Sequence, residues 1–211
     1  MRVSAKICGI KNAEALDAAI QGGARWIGFV FFPPSPRHVT PETAAPLAQR
    51  AAASVGKVGL FVDPTDGEIE GALARVKLDL LQLHGAESVA RVAELKERFG
   101  VPVMKAIGVA EERDFAAAPS FEPVADWLLF DAKPRAGALP GGSGAAFDWR
   151  LLSGKNFQRP WMLSGGLDAG NVKEALAVSG ARAVDVSSGV ESARGVKDPA
   201  RIAAFLGALG D

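Results

Sequence analysis

The sequence is poor in the residues from which metal sites and disulfide scaffolds are built. It contains one cysteine and two histidines among 211 residues, and their spacing is not that of a metal site. A lone cysteine cannot form an internal disulfide, which favours a reducing, cytoplasmic setting. No P-loop and no Ser-His-Asp motif order is present. Nucleoside-triphosphate and serine-hydrolase chemistry are therefore not expected.

Long apolar runs and an excess of charge of one sign are also missing. No apolar segment reaches the roughly 18 residues of a membrane span, and residues 1–6 lack the features of a signal peptide. Lysine plus arginine and aspartate plus glutamate each number 24, so the formal net charge is zero. Without a global basic field we expect no binding to nucleic acid or membrane, and an anionic ligand needs a local site.

What the sequence does contain is a regular alternation of short apolar segments with alanine-rich segments of helical periodicity. Several apolar segments, such as Gly28–Phe31 and Trp127–Phe130, are apolar on consecutive residues, as is typical of strands buried on both faces. Strands that alternate with helices predict a parallel sheet. The eight predicted strands are Val3–Cys8, Trp26–Phe31, Lys57–Val62, Leu80–His84, Val103–Ile107, Trp127–Asp131, Trp161–Ser164 and Ala183–Val186.

Eight such units without a composition break predict one domain over residues 1–211, an α/β fold of the (β/α)8, or TIM, barrel type. An open doubly wound sheet is the alternative, but no Gly-x-Gly-x-x-Gly follows the first strand. Helix starts are predicted at Asn12, Thr40, Asp168 and Asp198. The glycine-rich segment Lys133–Phe147 is predicted to be a loop that closes over a ligand.

Active sites of such barrels lie at the C-terminal ends of the strands. Cys8, at the end of the first strand, is a candidate base or nucleophile, or else a small buried apolar residue. Asp131 is a candidate general acid, or else a helix or loop cap. Arg37 is a candidate for a bidentate contact with a carboxylate, or else a solvated surface residue. His84 either titrates or donates a hydrogen bond in the site, or has a purely structural role. Asp185 is a candidate for substrate binding.

Two glycine-containing loops follow the seventh and eighth predicted strands. Gly165 and Gly166 lie in the first loop, and Ser188 and Gly189 lie in the second. Glycines let backbone N–H groups approach a ligand, and loops at these strands commonly hold phosphate. A short extra helix is predicted at Val190–Ser192. The alternative is that these glycines only form tight turns.

Motifs along the whole chain resemble those of the phosphoribosylanthranilate isomerase family, whose fold is the ribulose-phosphate-binding type of barrel. Each motif is weak alone, but their order and spacing are specific. The motifs are Lys6-Ile7-Cys8-Gly9-Ile10, Ser35-Pro36-Arg37, Leu81-Gln82-Leu83-His84-Gly85, Leu129-Phe130-Asp131, Gly141-Gly142-Ser143-Gly144, Leu163-Ser164-Gly165-Gly166-Leu167 and Asp185-Val186-Ser187-Ser188-Gly189-Val190-Glu191.

The resemblance implies a cofactor-free Amadori rearrangement of a small phosphorylated aminoaldose in tryptophan biosynthesis. It implies that Cys8 is the general base, that Asp131 is the general acid and that Arg37 holds the anthranilate carboxylate. Backbone groups would hold the phosphate around Gly142, Ser143, Gly144, Gly165, Gly166, Ser188 and Gly189. The protein is expected to be a monomer or a homodimer.

Two other functions compete with this interpretation. A barrel isomerase for a histidine-pathway aminoaldose would run the same reaction, but such families place an aspartate at the position of Cys8 and bind phosphate at both ends. A non-catalytic sensor of a phosphorylated metabolite would keep the glycine loops, but it would not need Cys8 and Asp131 together.

Overall fold

The computed structural model of the protein describes residues 3–133, 141 and 144–210. Eight parallel strands close into a barrel in chain order, and Ser4–Ile7 of the first strand pair with Ala183–Val186 of the eighth. The predicted barrel is confirmed, and its strand boundaries agree with prediction to within two residues. The strands are β1 (Ser4–Cys8), β2 (Trp26–Val30), β3 (Gly56–Phe61), β4 (Leu80–Leu83), β5 (Val103–Val109), β6 (Trp127–Ala132), β7 (Trp161–Leu163) and β8 (Ala183–Val186).

The helices surround the barrel, and three of them begin at predicted caps. The side chains of Asn12, Thr40 and Asp198 each accept a hydrogen bond from a backbone N–H in the first turn of the helix that follows. The helices are α1 (Ala13–Gln21), α2 (Pro41–Arg50), α3 (Asp66–Leu73), α4 (Val89–Phe99), α5 (Ala118–Phe121), α6 (Val172–Ser179) and α7 (Pro199–Ala208).

The predicted start of α6 at Asp168 is wrong. The N-cap residue is Asn171, three positions later. The Asp168 carboxylate accepts hydrogen bonds from the N–H groups of Gly170 and Asn171. Because these bonds close a turn before the helix, Asp168 caps that turn instead of the helix.

The connection from β6 to β7 carries a 3-10 helix at Trp149–Leu152 where other units carry an α-helix. Much of the predicted Lys133–Phe147 loop, including Gly142 and Ser143, lies outside the described residues. Its closure over a ligand therefore stays a prediction. Gly141 and Gly144 both have positive φ angles, of 74°.

Side chains alternate between the helix-facing and the interior side of each strand. Ile7 and Phe29 belong to the main core cluster between strands and helices. The interior near the N-terminal ends of the strands is apolar, with a cluster that includes Val58 and Leu129. Trp26 and Trp127 pack against this cluster and meet each other edge to face, with ring centroids 5.3 Å apart. Polar interior side chains therefore concentrate toward the C-terminal ends.

A second small sheet follows the barrel. Strands β9 (Glu191–Ala193) and β10 (Val196–Lys197) pair antiparallel. The predicted helix at 190–192 is wrong in position, because a 3-10 turn occupies Ser188–Val190 and Glu191 begins a strand. Within the described part of the chain, no helix is long and apolar enough to span a membrane.

Candidate active site

A cavity of about 430 Å³ opens at the C-terminal end of the barrel. Among the side chains predicted from sequence, Cys8, Arg37, His84 and Asp131 line it together. They come from β1, the loop after β2, the end of β4 and β6. Barrel closure thus brings candidates from distant parts of the sequence to one space.

A second, more polar pocket of about 270 Å³ adjoins this cavity. The two share Asp131, Ser164, Asp185 and Ser187. Of the described residues, those that line the second pocket include no lysine and no arginine. Its other lining residues are Gly144, Ala145, Gly165, Gly166, Leu167, Val186 and Ser188.

The glycines of this pocket are required by the backbone. Gly165 and Gly166 have φ angles of 91° and 66°, which disfavour residues with a side chain. Gly189 does not line the pocket. A Cβ atom at Gly189 would lie 1.9 Å from the carbonyl oxygen of Leu167, so Gly189 allows the loops after β7 and β8 to pack together. The result is a pocket lined largely by residues of these loops, to which Gly189 contributes only indirectly.

Cys8 is buried at the end of β1. Burial raises the pKa of its thiol above the usual value of 9.0, and the nearby cations Lys6 and Lys197 oppose that shift. The Ser187 hydroxyl donates to the Cys8 carbonyl oxygen at 3.1 Å, which ties the end of β1 to the loop after β8. Cys8 is therefore a cavity-lining thiol in a charged setting, and its thiolate needs stabilisation by neighbours.

Asp131 is held by a short chain of polar side chains. Its Oδ2 lies 3.2 Å from His84 Nε2, and its Oδ1 accepts from the Ala132 N–H at 2.9 Å. On the far side of the imidazole, Gln82 Nε2 lies 3.0 Å from His84 Nδ1. Within the described residues, Gln82 Oε1 is buried without a hydrogen-bond partner. The chain of Gln82, His84 and Asp131 orients the carboxyl group toward the cavity.

Arg37 is buried, so it is not a solvated surface arginine. Its Nε and Nη2 donate to the two carboxylate oxygens of Glu191 at 2.7 and 2.9 Å. Lys197 Nζ donates to the same carboxylate at 2.5 Å. Hydrogen bonds and cations lower the pKa of Glu191 from 4.5 to about 2, although burial opposes the shift. Glu191 is thus an anion at neutral pH, and it fixes the plane of the Arg37 guanidinium.

Sequence reasoning did not assign Lys6, Gln82 or Glu191 to the site. For Lys6 and Gln82 a signal existed, because each lies two residues before a predicted site residue on the same strand and so on the same face. Glu191 lay within a motif of the family but was interpreted as part of a helix.

A closed (β/α)8 barrel with a glycine-lined pocket beside a thiol, a carboxyl group and an oriented arginine defines a class of protein. It is a barrel enzyme suited to acid–base chemistry on a small anionic substrate. In the part of the chain that the structure describes, no cluster of three or more His, Cys, Asp or Glu side chains is arranged to hold a metal ion.

Comparison with known proteins defines the family. The model of the N-(5'phosphoribosyl)anthranilate (PRA) isomerase family matches residues 5–208. The N-(5'-phosphoribosyl)anthranilate isomerase of Paracoccus denitrificans (strain Pd 1222) is 59% identical over 207 residues, which cover 98% of this chain and 96% of the relative. This chain belongs to the PRA isomerase family and is an isomerase of tryptophan biosynthesis.

Solved structures agree with this membership. The crystal structure of phosphoribosyl anthranilate isomerase from Thermotoga maritima superposes with a TM-score of 0.87 and 39% identity over 97% of each chain. A phosphoribosyl anthranilate isomerase in complex with reduced 1-(o-carboxyphenylamino)-1-deoxyribulose 5-phosphate superposes with a TM-score of 0.84 and 36% identity. That superposition covers 97% of this chain and 96% of the other.

Proposed function

We propose that this chain converts N-(5-phosphoribosyl)anthranilate to 1-(2-carboxyphenylamino)-1-deoxyribulose 5-phosphate, with Cys8 as general base and Asp131 as general acid. The observation that carries the proposal is that both side chains line one cavity. The second pocket, our proposed anion pocket, joins this cavity through Asp131, Ser164, Asp185 and Ser187. Arg37 lines the cavity itself.

The two anionic ends of the substrate match two different sites. The phosphate would bind to backbone N–H groups around Gly144, Gly165, Gly166 and Ser188, and Asp185 lies where the two pockets meet. Gly142 and Ser143, which lie outside the described residues, stay predicted contributors. Fixing the substrate at both ends converts binding energy into orientation of the reacting carbons.

The carboxylate of the anthranilate would lie on the Arg37 side. Arg37 and Lys197 both form ion pairs with the Glu191 carboxylate, and Arg37 itself lines the cavity. A guanidinium at this position suits a carboxylate ligand, and the bidentate contact with Glu191 holds it in one plane before the substrate arrives.

The chemistry is a pair of proton transfers. Asp131 donates a proton to the furanose ring oxygen as the bond from that oxygen to C1 breaks, which leaves an open-chain protonated Schiff base. The Cys8 thiolate then removes the proton from C2, and the C–H electron pair moves through C1 to the imine nitrogen. The resulting enolamine gains a proton at C1 and loses the proton of its C2 hydroxyl group, which gives the ketone. Because the iminium nitrogen accepts the electrons, no cofactor is needed.

Paired substitutions of the two proposed proton-transfer residues test the assignment. Cys8→Ser and Asp131→Asn each preserve shape but remove a proton-transfer group, so each should lower the turnover rate by about 10²–10⁴-fold. Both variants should still bind a reduced product analogue, since neither residue holds the phosphate or the carboxylate. Cys8→Ser should still open the ring, whereas Asp131→Asn should not.

Steady-state turnover of the purified variants is the measurement, with analogue binding as the control for folding. A near wild-type rate in Cys8→Ser would remove the thiolate from the mechanism, and the same result in Asp131→Asn would remove the acid. The cytoplasmic location and the monomeric or homodimeric state stay predictions from the sequence.

A further inference from the structure

A buried lysine lies directly beneath the cavity. Lys6 is 0% exposed, and its ammonium group donates to Asp185 Oδ1 at 2.8 Å. The two residues are register partners on the neighbouring strands β1 and β8. Cys8 lies two residues further along β1, so its thiol projects from the same face of the strand as the Lys6 side chain, and the ammonium group acts on the thiol as a nearby cation. Lys6 is therefore paired with an anion and lies close to the proposed base.

The space for both side chains is provided by Gly28 on β2, the register partner of Cys8. A Cβ atom at Gly28 would lie 3.0 Å from Cys8 Sγ and 3.1 Å from Lys6 Cε. These distances are tighter than ordinary packing, so a side chain at Gly28 would displace the sulfur or the lysine. The barrel thus accommodates both groups in one place.

A role in stability alone does not explain this pair. Taking a lysine and an aspartate out of water is costly, and apolar residues of similar volume often serve a core as well or better. The lower interior of this barrel is filled in that way, by residues such as Val58, Met104 and Leu129. An ion pair in the layer above points to a need for charge at that level.

The charges that surround Cys8 differ in sign and strength. Lys6 opposes the effect of burial on the thiol pKa most strongly, Asp185 adds to that effect, and Lys197 opposes it more weakly. The ionisable groups that face Cys8 come from β1, β8, β10 and the far walls of the cavity, namely Lys6, Asp185, Lys197, Arg37, His84 and Asp131.

We propose that Lys6 is a positioning residue for the reaction, whose ammonium group, held by Asp185, stabilises the Cys8 thiolate that removes the C2 proton. This proposal rests on the proposed function of Cys8 as the base. Lys6 keeps its proton throughout. The thiol loses its proton to water in the cavity, and the thiolate regains one from C2 as the C–H electron pair moves toward the imine nitrogen.

The composition of the chain allows a direct test. Because there is one cysteine and no tyrosine, the ultraviolet absorbance of the thiolate can be titrated without interference from tyrosinate or a second thiol. Lys6→Met, which keeps the length of the side chain without its charge, should move the titration to higher pH. At a fixed pH near neutrality, it should slow alkylation by iodoacetamide by about tenfold or more.

Two further variants sharpen the test. Asp185→Asn removes the anion that competes for Lys6, so the thiol should titrate at lower pH, in the opposite direction. The double variant Lys6→Met/Asp185→Asn leaves no unpaired buried charge and should fold even if Lys6→Met does not. Its thiol should titrate above the wild-type pH, because the cation on the same face of β1 is gone, whereas Asp185 lies on the neighbouring strand β8. Lys57→Met, at a buried lysine of β3 that pairs with Asp79, is the matched control and should leave the titration unchanged.

Activity measurements separate this proposal from the proposed function. Lys6→Met should lower kcat with little change in KM and should move the pH profile of kcat to higher pH. A wild-type thiol titration in folded Lys6→Met, or in the double variant if the single one fails to fold, overturns the role of Lys6. Full activity in Cys8→Ser overturns Cys8 as the base, whereas a Lys6-dependent thiol titration would survive that result.

Discussion

The contact between Glu191 and Arg37 makes a quantitative prediction about stability. Glu191 is 6% exposed and accepts hydrogen bonds from Arg37, Lys197 and the Gly195 N–H. Glu191→Gln preserves the size of the side chain but removes its charge. Arg37 and Lys197 would then be two neighbouring cations in a buried site without their shared anion.

The magnitude follows from the pKa of Glu191. A carboxyl group whose pKa falls from 4.5 to about 2 on folding contributes about 3 kcal/mol to stability at neutral pH. Removing one partner of a buried ion pair typically costs about 3–5 kcal/mol, so two separate arguments agree. Because the folded-state pKa is the lower one, this stabilisation is present above pH 4.5 and is lost as the pH falls toward 2.

The assay is urea unfolding of wild type and Glu191→Gln at neutral pH and at steps through the interval from 4.5 to 2. The free energies of unfolding should differ by about 3 kcal/mol at neutral pH and converge as Glu191 becomes protonated. Glu42→Gln is the control, since Glu42 pairs with Arg75 on the surface and should change stability by less than about 1 kcal/mol. A difference under about 1 kcal/mol, or one independent of pH, would refute the reasoning.

Three further variants test the site. Gly189→Ala places a Cβ atom 1.9 Å from the Leu167 carbonyl oxygen, so it should weaken binding of a phosphorylated product analogue in calorimetry. Gly71→Ala, with open space around it, should not weaken that binding. Equal affinities of the two variants for the analogue would contradict the position of the proposed anion pocket. Arg37→Ala should weaken binding of the same analogue by about 1.5–3 kcal/mol. An unchanged affinity would contradict the proposed role of Arg37 in holding the carboxylate. His84→Leu removes the contact with Asp131 and should lower kcat by about tenfold or more while analogue binding is kept; an unchanged kcat would make His84 merely structural.

The sequence by itself determined the architecture and most of the catalytic candidates. Consecutive apolar residues in short segments identify strands buried on both faces, and eight strand–helix units imply a parallel barrel. Because active sites of such barrels lie at strand ends, Cys8, His84, Asp131 and Asp185 were identified by position alone. These inferences depend on local pattern, and so a single sequence carries them.

Only the tertiary structure decided which charges meet at the site. Lys6 and Asp185 are 179 residues apart in sequence, and Arg37 and Glu191 are 154 apart. Closure of β8 against β1 brings both pairs together, and no local pattern encodes that contact. The protonation of Cys8 is a tertiary property as well, because burial and the cation of Lys6 act on its thiol in opposite directions. Electrostatic energies depend on distance and on exclusion of water, and in this chain both are determined only when the barrel closes.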